Sequence, residues 1–129
     1  VIDSSAIIAY LRHESGYKHV ERLLLKGELL LSSVNRTEIK GKLVGMGAFT
    51  AKQIDEALTN LEALLEVVPF DIQQSDTAAY YYARRKPYTL SLGDCACLAL
   101  AEIKHVPVVT AEAAWAKLPD LPFKVTVIR

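Results

Sequence analysis

The chain has 129 residues, of which 51% are hydrophobic, and its 15 Lys and Arg residues balance 15 Asp and Glu residues. This length suits one domain with one core and leaves no room for a second. The neutral charge argues against a protein that binds nucleic acid through its overall charge, although a local basic patch could still do so. We therefore expect residues 1–129 to form a single domain.

The hydrophobic and cysteine residues favour a cytoplasmic location. No apolar run approaches the roughly 18–20 residues that span a bilayer, and the first residues lack the charged, apolar and cleavage segments of a signal peptide. The chain opens at Val1-Ile2-Asp3 without an initiator Met, so we expect a few residues to precede it. Cys95 and Cys97 lie two positions apart in a helical stretch, which predicts two buried, reduced thiols and no disulfide.

Short apolar strands alternate with helices along the chain. In chain order, the pattern predicts a strand end at 1–2, helices at 4–11 and 17–26, a strand at 29–31, a helix at 36–46, a helix from Thr50 with Ile54, Leu58, Leu61 and Leu65 at helical spacing, a strand at 67–68, helices at 71–85 and 92–104, a strand at 107–109, a short helix at 112–117 and a strand at 124–128. The strands are apolar throughout, which is typical of a mainly parallel sheet buried on both faces. The sequence therefore predicts an α/β fold with a central sheet of four to five short strands flanked by helices.

Four acidic residues lie close to the predicted strand ends. Asp3 directly follows the first strand, and Glu38 lies near the start of the helix after the second strand. Asp94 opens an apolar helix, and Glu112 lies just past the strand at 107–109. Because sites in parallel sheets form beyond the carboxyl ends of the strands, we expect these four side chains to converge at one edge.

Each acid taken singly also has a structural interpretation. Asp3 can cap the helix that follows it, and Glu112 can complement the dipole of a first helical turn. Glu38 follows Asn35 at capping-box spacing and could also pair with Lys42 one turn further on.

Two features favour a functional interpretation of the acids. Asp94, which with Ser91 also has capping-box spacing, opens a helix whose residues 95–101 are all apolar, so its carboxylate is partly desolvated and needs a cation or several donors. Glu38 shares a helix face with Gly41 and Gly45, which predicts that something approaches that face closely.

A divalent cation would reconcile the four acids with one another. Carboxylates gathered at one point repel and would hold protons. Mg²⁺ takes oxygen ligands and keeps several waters, so a few carboxylates suffice to hold it. Bound metal can polarise a phosphoryl oxygen and lower the pKa of a water, which is what phosphodiester hydrolysis requires.

Four segments of the chain resemble one known family. They are residues 1–6, 33–38, 90–99 and 109–115, which read VIDSSA, SVNRTE, LSLGDCACLA and VTAEAAW. In order and spacing they are similar to the motifs of the PIN-domain toxins of the VapC type, and together they cover nearly the whole chain. The third segment is the most specific of the four.

The resemblance implies a three-layer PIN fold, a Mg²⁺- or Mn²⁺-dependent endoribonuclease, a homodimer, and a cognate antitoxin protein that blocks the site. Asp3, Glu38 and Asp94 match the core acidic positions, which bind metal and position the attacking water. Glu112 stands where the family usually has Asp, so the resemblance implies a fourth metal-binding position that acts through water. Cys95 stands where many relatives have Arg, so a phosphate or salt-bridge contact is lost.

Further positions could support metal or RNA. In the resemblance, Ser5, Asn35 and Thr110 match polar positions that support metal or phosphate. Several cations flank the acid motifs and could contact RNA phosphates, namely Arg36, Lys40, Arg84 and Arg85. The alternative for these cations is a solvated helix end, where positive charge suits the helix dipole.

Two other functions stay open on the sequence alone. One is a metal phosphohydrolase that acts on small phosphate esters and ignores RNA. The other is an inactive PIN module that only binds a protein partner. The presence of Asp3, Glu38 and Asp94 together disfavours the inactive module, whereas Glu112 and Cys95 keep it open.

Overall fold

A computed structural model describes all 129 residues. It contains six α-helices and four strands with two short 3-10 helices, Lys86–Tyr88 and Ala113–Lys117. The helices are α1 Ser4–Leu11, α2 Tyr17–Lys26, α3 Ser33–Met46, α4 Ala51–Glu62, α5 Ile72–Ala83 and α6 Leu92–Lys104. The strands are β1 Leu29–Ser32, β2 Leu65–Val68, β3 Val108–Thr110 and β4 Val125–Val127.

All strand pairings are parallel, as predicted. β1 pairs with β2 from Leu29↔Leu65 to Ser32↔Val68, and β3 pairs with β4. The first residues of the chain lie between these two pairs, because Ile2 N donates to Leu30 O at 2.9 Å and also bridges in parallel to Val109. The order across the sheet is therefore β2, β1, residues 1–3, β3 and β4.

Helices cover both faces of this sheet and form three layers. Adjacent residues of the central strands face opposite ways, so that Ile2, Leu31 and Val109 belong to one buried cluster. Their neighbours Val1, Leu30 and Val108 contact the other. Helices α1–α4 contribute to the first cluster, and helices α5 and α6 contribute to the second. The three-layer α/β prediction is confirmed.

The edges of the sheet differ from the prediction of strands buried on both faces. In β2 the side chain of Glu66 is exposed, and the residues of β4 are only partly buried. An edge strand has a neighbour on one side only, so water reaches its outer side chains. Only the central strands are buried as the apolar pattern predicted.

Two helix boundaries differ from the prediction by three residues, and the others by no more than two. Helix α3 begins at Ser33, three residues earlier, because the Ser32 hydroxyl accepts from Val34 N at 3.3 Å and caps it. Helix α4 ends at Glu62, and Leu65 is the first residue of β2, although Leu65 continues the helical spacing of α4. Strand pairing with Leu29 overrides that local pattern.

Helix α6 is the most buried helix of the chain. Every side chain from Cys95 to Ala101 is buried. Both cysteines are free thiols, as predicted. Cys95 is fully buried in the core, so a side chain at this position does not face solvent in this fold. No helix is both long and apolar enough to cross a membrane.

Candidate active site

Asp3 lies at the carboxyl end of the central strand and is 1% exposed. Its carboxylate caps α1 by accepting from Ser5 N at 3.2 Å, as the structural interpretation predicted. It also accepts from the hydroxyls of Ser5 and Thr110, the latter at 3.1 Å. Burial raises the pKa of Asp3, the hydrogen bonds from Ser5 and Thr110 oppose that rise, and the charge of Glu38 adds to it.

Ser5 and Thr110 act as a pair that holds Asp3 and the loop after β3. Their hydroxyl oxygens lie 3.2 Å apart. Ser5 Oγ accepts from Ala111 N at 3.0 Å, and Thr110 Oγ1 accepts from Glu112 N at 3.0 Å. Two of the three predicted supporting residues, Ser5 and Thr110, therefore contact the acid site through Asp3.

Glu38 lies on α3 beside Asp3. Ser4 connects the two carboxylates, since its hydroxyl lies 2.6 Å from Glu38 Oε2 and 3.4 Å from Asp3 Oδ1. Lys42 pairs with Glu38 at 2.8 Å, as the helical spacing predicted. Burial acts to raise the pKa of Glu38, but hydrogen bonds from Lys42 and Ser4 together with the Lys42 charge outweigh it and lower the pKa.

Asp94 opens α6 and forms the predicted capping box with Ser91. Ser91 N donates to Asp94 Oδ2 at 2.7 Å, and Asp94 N donates to Ser91 Oγ at 3.1 Å. Burial nevertheless raises the pKa of Asp94 to about 6; the hydrogen bond from Ser91 N opposes the rise, and the charges of Asp3 and Glu38 contribute to it. The capping interpretation is correct but leaves the negative charge of Asp94 without a cation.

Three of the four predicted acids line one cleft of about 250 Å³. Its lining residues are Glu38, Lys42, Tyr88, Thr89, Ser91, Asp94, Glu112, Ala114 and Trp115. Asp3 is not among these lining residues, but Ser4 joins it to Glu38. Glu112 precedes the 3-10 helix Ala113–Lys117, but its side chain makes no capping hydrogen bond, so its carboxylate is free. Three of the four predicted acids therefore share one cleft, and the fourth, Asp3, is connected to it through Ser4.

Asn35 is fully buried between α3 and α6. Its Nδ2 donates to Gly93 O at 3.1 Å and lies 3.5 Å from Asp3 Oδ1, whereas its Oδ1 has no hydrogen-bond partner. The capping-box interpretation of Asn35 and Glu38 is wrong, because Ser32 caps α3 and both residues lie inside the helix. Asn35 instead joins the two helices that carry Glu38 and Asp94.

Gly93 and Ser4 are site residues to which the sequence analysis assigned no role. A Cβ at Gly93 would lie 2.7 Å from Glu38 Oε2, so only glycine lets the carboxylate lie against the start of α6. The available signal was a glycine in the first turn of a buried helix, where it costs helix stability. By contrast, Gly41 and Gly45 have nothing within 4 Å. The close approach that the sequence predicted for this face is therefore not made by any part of this chain.

The four cations predicted to contact RNA do not line the cleft. Arg36 pairs with Glu62, and Lys40 pairs with Asp55 at 2.9 Å, so both connect α3 to α4. The other two lie on aromatic rings at the end of α5: Arg85 at 3.9 Å from the ring centre of Tyr82 and Arg84 at 5.8 Å from that of Tyr81.

The residues of the cleft fit a hard divalent cation in their chemistry. All their ligand-type groups are oxygen donors, and burial raises the pKa values of Asp3 and Asp94, with the charge of Glu38 adding to the rise. Asn35 Oδ1, next to this site, is buried without a partner. No three His, Cys, Asp or Glu side chains are arranged closely enough to hold a metal as they stand. Glu38 is turned to Lys42 in this arrangement.

The domain is a three-layer α/β domain with acidic side chains at one edge of a parallel sheet. The family model of the PIN domain matches residues 1–121, so the chain belongs to the PIN-domain family. No individually curated protein sequence matches the chain.

Two solved structures share its fold. One is VapBC2 from Rickettsia felis bound to a DNA fragment from its promoter, with a TM-score of 0.71, 16% identity and 96% of each chain covered. The other is DNA-bound VapBC from Salmonella typhimurium, with a TM-score of 0.73, 16% identity and coverage of 99% of this chain and 96% of the other. At this identity the likeness concerns the fold alone.

Proposed function

We propose that this protein is a metal-dependent endoribonuclease and the toxin of a VapC-type toxin–antitoxin pair. The observation that carries the proposal is the convergence of Asp3, Glu38 and Asp94, two of which have raised pKa values. Apart from Lys42, the titratable groups of the cleft are carboxylates and one tyrosine, so neither a histidine base nor a thiol nucleophile is at hand. PIN domains are generally nucleases, which agrees with this donor set.

Asp3, Glu38 and Asp94 would hold Mg²⁺ or Mn²⁺, with Glu112 acting through water. Bound metal supplies charge for the phosphoryl oxygen and lowers the pKa of the attacking water. The chain's own residues orient the acids: Ser5 and Thr110 hold Asp3, Ser4 holds Glu38, and Ser91 holds Asp94. Hydrogen bonds of this kind orient the carboxylates that would bind metal.

RNA as the substrate and an antitoxin as the partner are part of the same proposal. They are supported by the sequence motifs and by a fold shared with two VapBC complexes. A homodimer and a cytoplasmic location follow from the same resemblance and stay predictions. Contacts of Arg36, Lys40, Arg84 and Arg85 with RNA also stay predictions. Because these residues do not line the cleft, we expect any such contact to involve phosphates other than the reacting one.

Cleavage of total cellular RNA by purified, antitoxin-free protein tests the function. Reactions with Mg²⁺, with Mn²⁺ and with EDTA are compared for wild type and Asp94→Asn. Asp55→Asn is a matched control, because Asp55 is an exposed acid that pairs with Lys40 outside the cleft.

We expect discrete fragments that require metal, disappear with Asp94→Asn and persist with Asp55→Asn. Folded wild-type protein that cleaves no RNA but hydrolyses p-nitrophenyl phosphate would instead be a small-substrate phosphohydrolase. Protein that does neither would be an inactive binding module.

A further inference from the structure

Lys42 is the one basic residue among those that line the acid cleft. Its ammonium lies 2.8 Å from Glu38 Oε1, and the two side chains are 49% and 25% exposed, respectively. Lys42 shares this cleft with Asp94 and Glu112, and the charges of Asp3 and Asp94 also act on it. Lys42 is therefore the cation that lines the candidate active site.

The ion pair with Lys42 engages the carboxylate of Glu38, which is one of the proposed metal ligands. Glu38 accepts from both Ser4 and Lys42, and the acids of the cleft are not arranged to hold metal in this state. Water screens a half-exposed ion pair, so the pair is weak. A divalent cation carries twice the charge of the ammonium and would displace it from Glu38.

A Lys42 side chain released from Glu38 could bind a phosphate of RNA that lies in the cleft. RNA carries one negative charge per phosphate, and the acids of the cleft repel it. The four other candidate cations are held on Glu62, Asp55 or the aromatic rings of α5. Lys42 has a flexible four-carbon stem and a point charge suited to a phosphate oxygen.

We propose that Lys42 pairs with Glu38 in the metal-free protein and that, when Glu38 would serve as a metal ligand, Lys42 would instead bind the RNA phosphate next to the scissile bond. Lys42 is then both a competitor of the metal and a substrate-positioning residue. This inference rests on the proposed endoribonuclease function. It assigns to α3 a phosphate contact that does not depend on Arg36 or Lys40.

The test is Lys42→Gln, which removes the charge and keeps most of the stem. Two measurements are made: Mn²⁺ affinity by isothermal titration calorimetry without RNA, and KM for a labelled RNA oligonucleotide that the wild type cleaves. We expect Mn²⁺ to bind about fivefold more tightly, which is the scale of one half-exposed ion pair. We expect KM to rise about tenfold through loss of a phosphate contact.

The opposite signs of these two changes distinguish this role from a structural one, since a damaged site would weaken both metal and RNA binding. Lys42→Arg keeps the charge and should restore KM to near the wild-type value. Lys52→Gln is the matched control, because Lys52 forms an exposed pair with Glu56 one turn along α4 and lies outside the cleft, and it should change neither quantity.

Two results would overturn the inference in distinguishable ways. If the wild type binds Mn²⁺ and cleaves RNA but Lys42→Gln matches it, or shifts both quantities toward weaker binding, the role of Lys42 is wrong and the endoribonuclease stands. If folded wild type binds no Mn²⁺ and cleaves no RNA, the proposed function and the role of Lys42 are both wrong.

Discussion

Helix α3 has two charged faces that differ in what lies opposite them. One face carries Glu38 and Lys42 and lines the cleft shared with Asp94. The other carries Arg36 and Lys40, which pair with Glu62 and Asp55 of α4. The same residue types, a few positions apart, therefore stand in a candidate active site on one side and in surface ion pairs on the other.

The comparison teaches that charge near a motif is a poor guide to a site unless the opposite element is known. Glu38 and Lys42 face two other acids that have no cation of their own. Arg36 and Lys40 face acids that already neutralise them. Carboxylates whose charges are not fully balanced therefore lie opposite only one face of α3. A divalent cation bound at this face would reduce the repulsion between them.

The largest expected difference concerns the acids of the two faces. Glu38→Gln should lower the rate of RNA cleavage on the order of a thousandfold, because loss of a metal ligand removes several kcal/mol of transition-state stabilisation. Glu62→Gln removes an acid that pairs with Arg36 outside the cleft and should leave the rate within about twofold of wild type. Single-turnover cleavage with saturating Mg²⁺ measures both. Equal losses in the two variants would mean that the cleft is not the reacting centre.

A second expected difference concerns two glycines. Gly93→Ala places a Cβ 2.7 Å from Glu38 Oε2 and pushes the carboxylate out of position, so cleavage should fall on the order of tenfold. Gly41→Ala meets nothing within 4 Å and should stabilise the protein by about 1 kcal/mol through helix propensity without loss of cleavage.

Urea unfolding and the cleavage rate, measured on both glycine variants, check this contrast. The shift of a flexible side-chain end costs little, so Gly93→Ala should fold normally. Normal cleavage by Gly93→Ala would show that Glu38 need not lie against α6.

A third expectation concerns pH and the unneutralised acids. The pKa of Asp94 is raised from 3.8 to about 6, so its contribution to stability is present below about pH 4 and is lost as pH rises through 6. The pKa of Asp3 is raised as well and acts in the same direction. The lowered pKa of Glu38 acts oppositely, but its effect is complete above its ordinary value of 4.5.

Metal-free protein should therefore melt at a lower temperature at pH 8 than at pH 5, by about 3 °C after allowance for the partial exposure of Asp94. Differential scanning calorimetry in EDTA measures the shift. Mg²⁺ should raise the melting temperature more at pH 8 than at pH 5, and Asp94→Asn should reduce the pH dependence in EDTA. A higher melting temperature at pH 8 than at pH 5 in EDTA would contradict the raised pKa values of Asp3 and Asp94.

The smallest expected effect belongs to the outer face of α3. Arg36→Gln removes a partly exposed pair with Glu62 and should lower the free energy of unfolding by less than about 1 kcal/mol. The cleavage rate and KM should stay at the wild-type values. A rise in KM with unchanged stability would instead support the predicted RNA contact of Arg36.

Much of this fold could be predicted from local pattern. The helical spacing of α1 and α2 and the apolar run of α6 predicted those elements at the bounds observed. The pattern was insufficient at Leu65, which fits the helical spacing of α4 but pairs with Leu29 in the sheet. Local spacing does not contain the energy of a pairing between residues far apart in sequence.

The placement of the acids in the candidate site was predictable, and that of the residues that contact them was less so. Asp3, Glu38 and Asp94 follow from position relative to the strands, because parallel strands bring their carboxyl ends to one edge. Ser4 and Gly93 received no role, since each matters only through its distance to Glu38 on another element. Lys42 was recognised as a partner of Glu38 from helical spacing alone.

The sequence by itself determined the class of fold, the parallel sheet and the identity of the acids, since these depend on hydrophobic period and on position along strands. Only the tertiary structure decided which charges remain without a partner. Arg36 and Lys40 are neutralised by α4, whereas Asp94 keeps its capping box and still lacks a cation. Neutralisation depends on distances between elements and on burial, and neither quantity is carried by the order of residues within one helix.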